Sequence, residues 1–299
     1  MNIVIVGAGA IGSLFGGLLS KKNTVVLVGR PPHAKAIQKE GLHISGKTRL
    51  HMNISAVSST KDVSLAPDLV LITVKSYDTE TAIAQTIPLL GKDTMVLSLQ
   101  NGLGNVEKIE QVIERNRILA GVTTHGAIFS KPGAIIHTGI GKTILGELTR
   151  IPSKRLEDIV HVFNEAGIET SASTDIVKEL WSKTIINSSI NPITAVFQCN
   201  NGYLLKNPLL EKMVEYICTE STTIANQDEI PLNTVEMIER TREVIAQTSK
   251  NYSSMLQSIR QGKKTEIDSI NGALARYGKY HGIATPLNSI LVTLISSMN

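Results

Sequence analysis

The chain has 299 residues, of which 42% are hydrophobic and 19% charged, a composition typical of globular proteins that fold in water. This length suits two domains or one large domain with a sizeable core. The formal net charge of +4 is spread along the chain without a block of Lys and Arg. Composition therefore does not favour nucleic-acid binding.

Compartment and partners are constrained by features that the sequence lacks. Cys199 and Cys218 lie nineteen residues apart and form no CxxC pair, which favours a reducing compartment. The start "MNIVIVGAGAIG" does not have the pattern of a signal peptide, and no run of about 18 apolar residues predicts a membrane span. The seven histidines show no metal-binding spacing. We expect a cytoplasmic protein without membrane, nucleic-acid or metal partners.

The first half of the sequence alternates short apolar runs with helix-like segments. Strands are predicted at "NIVIV", "TVVLVGR", "DLVLITVK", "TMVLSLQNG" and "RILAGVTTHGA". Helices such as "SLFGGLLS", "TETAIAQTIPLL" and "VEKIEQVI" lie between several of these runs. This alternation predicts an α/β fold with a parallel sheet, which "AIIHTGIGKTILGE" (residues 134–147) is expected to extend.

The second half of the sequence is predicted to be entirely helical. Long helical patterns cover "STDIVKELWSKTIINSSI", "NPLLEKMVEYICTESTTIANQ", "TVEMIERTREVIAQ" and "TEIDSINGALARYGKYHGI". The polar segment "GIETSAST" reads as a turn-rich boundary between the two halves. We therefore predict a dinucleotide-binding domain at residues 1–168 and a helical domain at residues 169–299.

A G-x-G-x-x-G motif formed by Gly7, Gly9 and Gly12 follows the first predicted strand and opens a helix. In a dinucleotide site, the first glycine permits the tight turn and the second lets the backbone approach the pyrophosphate. The third lets the helix pack closely on the strand. The free N–H groups of the helix start would bind the phosphates. The alternative is a glycine-rich turn without a ligand, but the strand–loop–helix context favours a dinucleotide.

The residues after the second predicted strand favour NADP over NAD. An acidic residue would bind the ribose 2′-hydroxyl of NAD, but the chain has Arg30 here, with His33 and Lys35 nearby. A guanidinium suits a 2′-phosphate, although a solvated loop arginine is the alternative. Lys75 and Asn101 end two further strands, where open α/β sheets bind their ligands.

Lys183, Asn187 and Asn191 recur every four residues within a segment that is otherwise uncharged, which places them on one helix stripe. Such a stripe needs a polar cleft or an anionic ligand. A lysine that reaches solvent from the helix flank, with asparagines capping the helix end, explains the spacing equally well. Ser254 and Glu266 flank the break "RQGKK" and could face the same cleft, although an acid at a helix start is favourable in any case.

The order of several motifs resembles the ketopantoate reductase (2-dehydropantoate 2-reductase) family over nearly the whole chain. These motifs are "GAGAIG", "VKSYDT", "QNGLGN", "TTHGA", "ELWSKTIINSSINPITA", "NNG" and "SSMLQSIRQGKKTEIDSINGALA". The resemblance implies a Rossmann-type doubly wound domain and a helical domain like the C-terminal domain of 6-phosphogluconate dehydrogenase, with the active site between them. It also implies NADPH-dependent reduction of 2-dehydropantoate to (R)-pantoate, a step toward pantothenate and coenzyme A.

The resemblance assigns roles to individual positions of this sequence. It makes Lys183 the proton donor and Glu266 the acid that orders substrate and cofactor. The implied substrate contacts are Asn187, Asn191, Asn201 and Ser254. The implied cofactor contacts are Gly7, Ala8, Gly9, Ala10, Ile11, Gly12, Arg30, Lys75, Asn101, Ala127 and again Glu266.

Three alternatives to this assignment remain. Some family members prefer NADH, and paralogues act on other small 2-keto acids. Reductases of the 6-phosphogluconate or hydroxyacid dehydrogenase type share the architecture but do not require the Lys–Asn–Asn stripe. A non-catalytic redox sensor could keep the glycine loop, but it would not need Lys183. Family members occur as monomers and homodimers.

Overall fold

The computed structural model describes residues 1–298, which divide into two compact units. The first unit comprises residues 1–100 and 105–176. The second comprises residues 101–104 together with the chain from Val177 onward. The short segment Asn101–Gly104 thus belongs to the second unit, although the chain on both sides of it belongs to the first.

The first unit contains twelve strands and five helices among the described residues. Its strands are β1 (Asn2–Val6), β2 (Thr24–Val28), β3 (Leu42–Gly46), β4 (Leu50–Met52), β5 (Ser55–Val57), β6 (Leu69–Ile72), β7 (Met95–Ser98), β8 (Ile118–Thr123), β9 (Gly126–Lys131), β10 (Ala134–Gly139), β11 (Thr143–Glu147) and β12 (Thr170–Ser173). Its helices are α1 (Ala10–Leu19), α2 (Pro31–Glu40), α3 (Thr79–Thr86), α4 (Asn105–Glu110) and α5 (Lys154–Glu165).

The main sheet has eight strands in the order β12-β11-β8-β7-β6-β1-β2-β5. The six strands from β8 to β5 are parallel, whereas β11 runs antiparallel to β8. Their order is that of a Rossmann sheet, with β2 and β6 on opposite sides of β1. The predicted doubly wound α/β fold is confirmed, because the chain adds β2 and β5 on one side of β1 and then crosses over to add β6, β7 and β8 on the other.

A second sheet of four strands, β4-β3-β10-β9, packs on α1. Two expectations from the sequence were wrong here. Residues 117–127 do not form one strand, because β8 ends at Thr123 and β9 begins at Gly126 in the other sheet. Similarly, β10 joins the small sheet, and only β11 extends the main one. The polar segment after Gly167 was also misread, since Thr170–Ser173 forms strand β12 and pairs with β11.

A large apolar core helps to hold the first unit together. It includes β1, β2 and β6 residues with no exposed surface, such as Ile5, Leu27 and Leu71. Phe15 of α1 meets Phe163 of α5 edge to face, with ring centroids 6.0 Å apart. Burial of apolar residues along the full length of these short strands is what a sheet covered on both faces requires.

The second unit is helical throughout its described residues, as predicted. Its helices are α6 (Ile176–Val196), α7 (Tyr203–Lys206), α8 (Pro208–Gln227), α9 (Thr234–Gln247), α10 (Ser254–Arg260), α11 (Asn271–Tyr280) and α12 (Pro286–Ser296). Side chains of Asn207, Asn233 and Ser253 cap the starts of α8, α9 and α10. Three apolar clusters, with Trp181, Ile193 and Leu256 among their members, fill the space between these helices.

Candidate active-site residues in the two units

The glycine loop between β1 and α1 is built against the end of β6. Gly7 has φ of +106°, and a Cβ there would lie 2.5 Å from the Val74 nitrogen. A Cβ on Gly12 would overlap the Gly7 carbonyl and lie 2.5 Å from Thr73 Oγ1. That hydroxyl donates to the Gly7 carbonyl at 2.9 Å. Gly7 and Gly12 are therefore needed for packing within the protein.

Gly9 differs from its two neighbours in the motif. A Cβ on Gly9 would meet only the Gly7 carbonyl oxygen, at 3.9 Å, and the backbone is in an ordinary extended region. The protein's own packing therefore does not require glycine at this position. The first turn of α1, which includes Ala10, Ile11 and Gly12, has no side-chain cap and no acidic residue. This loop has the open backbone and free helix start that a pyrophosphate would occupy.

The three basic residues that follow β2 differ in exposure. Arg30 and Lys35 are exposed, and Arg30 is the residue before α2. His33 is buried, with Nε2 2.9 Å from Ser13 Oγ and with Nδ1 accepting the Gly133 N–H at 2.9 Å. Burial lowers the pKa of His33, which favours a neutral ring. His33 is thus engaged in packing α2 and does not extend the basic surface around Arg30.

Two further positions predicted for the cofactor lie elsewhere in the first unit. Lys75 precedes a single 3₁₀ turn, Ser76–Asp78, just beyond the end of β6. Ala127 lies in β9 opposite His137. The neighbouring His125 is buried, and burial together with His137 lowers its pKa to about 4. His125 packs edge to face on Phe15.

In the second unit, the Lys183 ammonium donates to Asn101 Oδ1 at 2.9 Å. The Asn101 segment is held in place by Ser269, because a Cβ on Gly102, where φ is +83°, would overlap the Ser269 carbonyl. The Leu103 N–H donates to that same carbonyl at 2.8 Å. Ser269 ends the 3₁₀ turn Ile267–Ser269, which directly follows Glu266. The structure therefore brings Lys183 and Asn101 together, beside the segment that carries Glu266.

The electrostatic surroundings of Lys183 are unusual for a lysine. Burial lowers the pKa of Lys183 to about 8, and the charge of Glu266 opposes this shift. Glu266 is itself buried. Lys183 therefore has a proton that is held through neutral pH and released in mildly alkaline solution.

The α6 helix carries all three members of the predicted stripe. It continues through Pro192 to Val196, so Asn187 and Asn191 lie within the helix and do not cap its end. Most buried hydroxyls of α6 bond back to its own carbonyls, as when Thr184 Oγ1 donates to Leu180 at 2.8 Å, whereas the Ser182 hydroxyl has no partner among the described residues. These internal bonds explain how a segment rich in Ser, Thr and Asn lies among apolar helices.

Asn201 and Ser254 lie in contrasting surroundings. Asn201 is buried, and its Nδ2 donates to Thr248 Oγ1 at 2.9 Å. Among the described residues, its Oδ1 has no hydrogen-bond partner. Ser254 is exposed at the first position of α10. The adjacent Ser253, which we did not single out from the sequence, is buried and accepts the Thr194 hydroxyl at 2.8 Å.

Sequence reasoning also missed residues that hold the site without belonging to a recognisable motif. Thr73 supports the glycine loop, and Ser269 anchors the Asn101 segment. Each acts through one hydroxyl or carbonyl placed by folding, so no spacing pattern indicates it.

Among residues 1–298, no group of His, Cys, Asp and Glu could hold a metal ion. No helix in this range is long and apolar enough to cross a membrane.

A Rossmann sheet with a glycine-rich βα turn, followed by helices that carry a lysine of lowered pKa, defines a nucleotide-dependent oxidoreductase. Comparison with known families specifies the class further. The family described as ketopantoate reductase PanE/ApbA matches residues 3–150, and its C-terminal region matches residues 175–299. The chain belongs to the ketopantoate reductase family.

Relatives and solved structures agree with this membership. A 2-dehydropantoate 2-reductase from Pyrococcus horikoshii is 41% identical over 298 residues, which cover 99% of this chain and 97% of the relative. One from Vibrio cholerae is 34% identical and covers 100% and 98%. Two similar solved structures are a PanE/ApbA family ketopantoate reductase from Ralstonia eutropha (TM-score 0.89, 31% identity) and a D-mandelate dehydrogenase with NADH and anilino(oxo)acetate (0.93, 29%). Each covers 100% of this chain and 98% of the solved one.

Proposed function

We propose that this protein reduces 2-dehydropantoate to (R)-pantoate with NADPH, in pantothenate and coenzyme A biosynthesis. The observation that carries the proposal is the half-buried Lys183, with its lowered pKa, its bond to Asn101 and the nearby charge of Glu266. In this proposal the first unit binds the cofactor, and the helices of the second unit bind the keto acid.

Lys183 is the proposed proton donor. Reduction of a 2-keto acid places negative charge on the former carbonyl oxygen, and an ammonium beside that oxygen stabilises the charge and supplies the proton. A pKa of about 8 keeps the ammonium protonated at neutral pH and makes it a stronger acid than an ordinary lysine. Asn101 Oδ1 accepts one of the three ammonium hydrogens, which orients the group without neutralising it.

Asn187, Asn191, Asn201 and Ser254 are the proposed substrate ligands. Amide and hydroxyl groups can bond a carboxylate and a hydroxyl without adding further charge. Asn187 and Asn191 lie one and two turns beyond Lys183 on α6, so all three leave the helix on one side. Glu266 is proposed to order substrate and cofactor, and its charge keeps more of Lys183 in the ammonium form.

The glycine loop fits a nicotinamide dinucleotide, which would supply the hydride. The backbone of Gly7, Ala8 and Gly9 and the start of α1 at Ala10–Gly12 would hold the pyrophosphate. Arg30 would pair with the 2′-phosphate, because it is exposed beside the end of β2 where an acidic residue would otherwise favour NAD. Lys75, Asn101 and Ala127 are the remaining proposed contacts to the cofactor.

The test is a spectrophotometric assay of the purified protein. 2-Dehydropantoate should oxidise NADPH, seen as loss of nicotinamide absorbance, and NADH should be the poorer donor. Lys183→Met should lose at least about a hundredfold in kcat, since a positioned general acid contributes about 10²–10⁴ in rate. Absence of turnover with both cofactors would refute the proposed reaction, and a Lys183→Met variant with substantial kcat would refute the assigned acid.

Reduction of another small 2-keto acid is the second candidate. It is favoured by the high structural similarity to a D-mandelate dehydrogenase, which was solved with NADH and anilino(oxo)acetate. An aromatic keto acid such as phenylglyoxylate, assayed beside 2-dehydropantoate with each cofactor, separates the two candidates by kcat/KM. A sensor without catalysis would bind the cofactor and turn over neither substrate.

A further inference from the structure

Pro192 creates a specific deficit inside α6. In an α-helix the N–H of each residue donates to the carbonyl four positions earlier, and proline has no N–H. The carbonyl of Ser188 therefore receives no donor from Pro192. Ser188 is buried and directly follows Asn187, so water does not readily replace the missing bond.

Asn271 supplies the missing donor from another helix. Its Nδ2 donates to the Ser188 carbonyl at 3.1 Å, and the side chain of Asn271 is 0% exposed. A carbonyl can only accept, so this bond also fixes which end of the Asn271 amide faces α6. Asn271 is the first residue of α11 and lies five positions after Glu266.

A buried polar chain holds Asn271 in this orientation. Its Nδ2 also donates to Asn288 Oδ1 at 2.9 Å, and Asn288 Nδ2 donates to Glu220 Oε1 at 2.8 Å. The Glu220 carboxylate further accepts the N–H groups of Leu287 and Asn288 at the start of α12. Both hydrogens of Asn271 Nδ2 are therefore bonded, whereas its Oδ1 has no partner among the described residues. Asn288 of α12 holds the amide directly, and Glu220 of α8 holds Asn288 in turn.

We propose that Asn271 is a positioning residue that replaces the N–H missing at Pro192 and so sets where the α6 stripe lies relative to the Glu266 segment. The bond joins the carbonyl next to Asn187 to the helix that follows Glu266. Its length therefore fixes the spacing between two sets of groups to which the proposed function assigns substrate contact. The role in substrate placement rests on that proposed function, whereas the replacement of the proline N–H does not.

A double-mutant cycle on stability tests the replacement. Asn271→Leu keeps the approximate side-chain volume but leaves the buried Ser188 carbonyl without a donor. Because an unsatisfied buried carbonyl is destabilising, this variant should lower Tm by about 4–8 °C. Pro192→Ala restores an N–H four positions after Ser188, so it should recover roughly half of that loss in the Asn271→Leu background. As a matched control, Asn226→Ala removes a side chain that bonds the Leu232 backbone in the same unit. Its effect should simply add to that of Pro192→Ala. Additive effects of Asn271→Leu and Pro192→Ala would overturn the proposal.

Kinetics distinguish positioning from stability alone. In the Asn271→Leu variant, assayed well below its Tm, kcat/KM for 2-dehydropantoate should fall about tenfold or more while KM for NADPH stays within about twofold. The double variant Asn271→Leu with Pro192→Ala should regain several-fold in kcat/KM for 2-dehydropantoate. If the Tm effects of Asn271→Leu and Pro192→Ala are not additive but keto-acid kinetics are unchanged, Asn271 has only a structural role. That result would overturn the positioning claim.

A readout independent of activity separates this proposal from the proposed function. Lys183 can be titrated by NMR in lysine-labelled protein, with Lys183→Met to assign the signal. Loosened packing in Asn271→Leu should raise the pKa of Lys183 from about 8 toward its ordinary value, and Pro192→Ala should reverse the change. An unaltered titration would contradict positioning even if the wild-type protein reduces no keto acid.

Discussion

The pH dependence of kcat/KM is the sharpest consequence of the Lys183 environment. With a pKa of about 8, Lys183 is about nine-tenths protonated at pH 7 and about one-tenth protonated at pH 9. If only the ammonium donates the proton, kcat/KM for the keto acid should fall about tenfold between these two values, because kcat/KM follows the protonation of the enzyme before the keto acid binds. A lysine of ordinary pKa would leave kcat/KM nearly constant over the same range.

Glu266→Gln should move this fall in activity at alkaline pH, the alkaline limb of the profile, to lower pH. The carboxylate of Glu266 stabilises the ammonium and raises the pKa of Lys183, so its removal leaves only the lowering by burial. The variant should therefore lose activity at pH 7.5 and recover part of it at pH 6. Asp268→Asn is the matched control, because Asp268 is exposed two positions away and its loss should leave the limb in place.

The measurement is kcat/KM for the keto acid at saturating cofactor from pH 5.5 to 9.5, with solvent isotope effects to verify that the chemical step limits the rate. A limb that stays fixed in Glu266→Gln, or that moves to higher pH, would refute the electrostatic coupling of the two residues. A flat wild-type profile under chemistry-limited conditions would refute Lys183 as the acid.

Three further substitutions test binding residues, and two more serve as structural comparisons. Gly9→Ala should leave Tm within about 2 °C, because its Cβ meets nothing closer than 3.9 Å, but should raise KM for the cofactor about tenfold or more. Gly12→Ala should raise that KM and also lower Tm markedly, because its Cβ overlaps the backbone. Thermal melts measured together with the kinetics distinguish the two variants. Arg30→Ala should reduce kcat/KM for NADPH by about tenfold and change that for NADH little, and equal effects on both would remove Arg30 from 2′-phosphate recognition. Ser253→Ala should lower the free energy of unfolding by about 1 kcal/mol through loss of the α10 cap, as measured by urea denaturation, whereas Ser254→Ala should alter only keto-acid KM.

The main sheet and the glycine loop were predictable because their signals are local. Apolar runs such as "NIVIV" are continuous, and the spacing of Gly7, Gly9 and Gly12 follows directly from strand and helix geometry. The small sheet was not predictable, since its edge strand β4 has only three residues and its pairing depends on contacts distant in sequence. The break between β8 and β9 at Thr124–His125 is not marked by a change in the pattern of apolar residues, so the sequence there predicts one strand.

The stripe on α6 was visible in the sequence, but its surroundings were not. Spacing placed Lys183, Asn187 and Asn191 on one face, and left open whether the asparagines capped the end of the helix. The helix continues because Asn271, nearly eighty residues later, supplies the donor that proline lacks. No local pattern reports such a bond. The same holds for Ser269, whose carbonyl anchors Asn101 from far along the chain.

The assignment of Asn101–Gly104 to the helical unit bears on how the protein can be recombined with its relatives. A chimaera joined at residue 176 would take Lys183 from one parent and its Asn101 acceptor from the other. It would also split Gly102 from the Ser269 carbonyl against which it packs. Exchange of the helical portion should therefore succeed only when the four-residue segment is exchanged with it. A fragment that begins at Val177 would lack Asn101, whose side chain accepts the Lys183 ammonium.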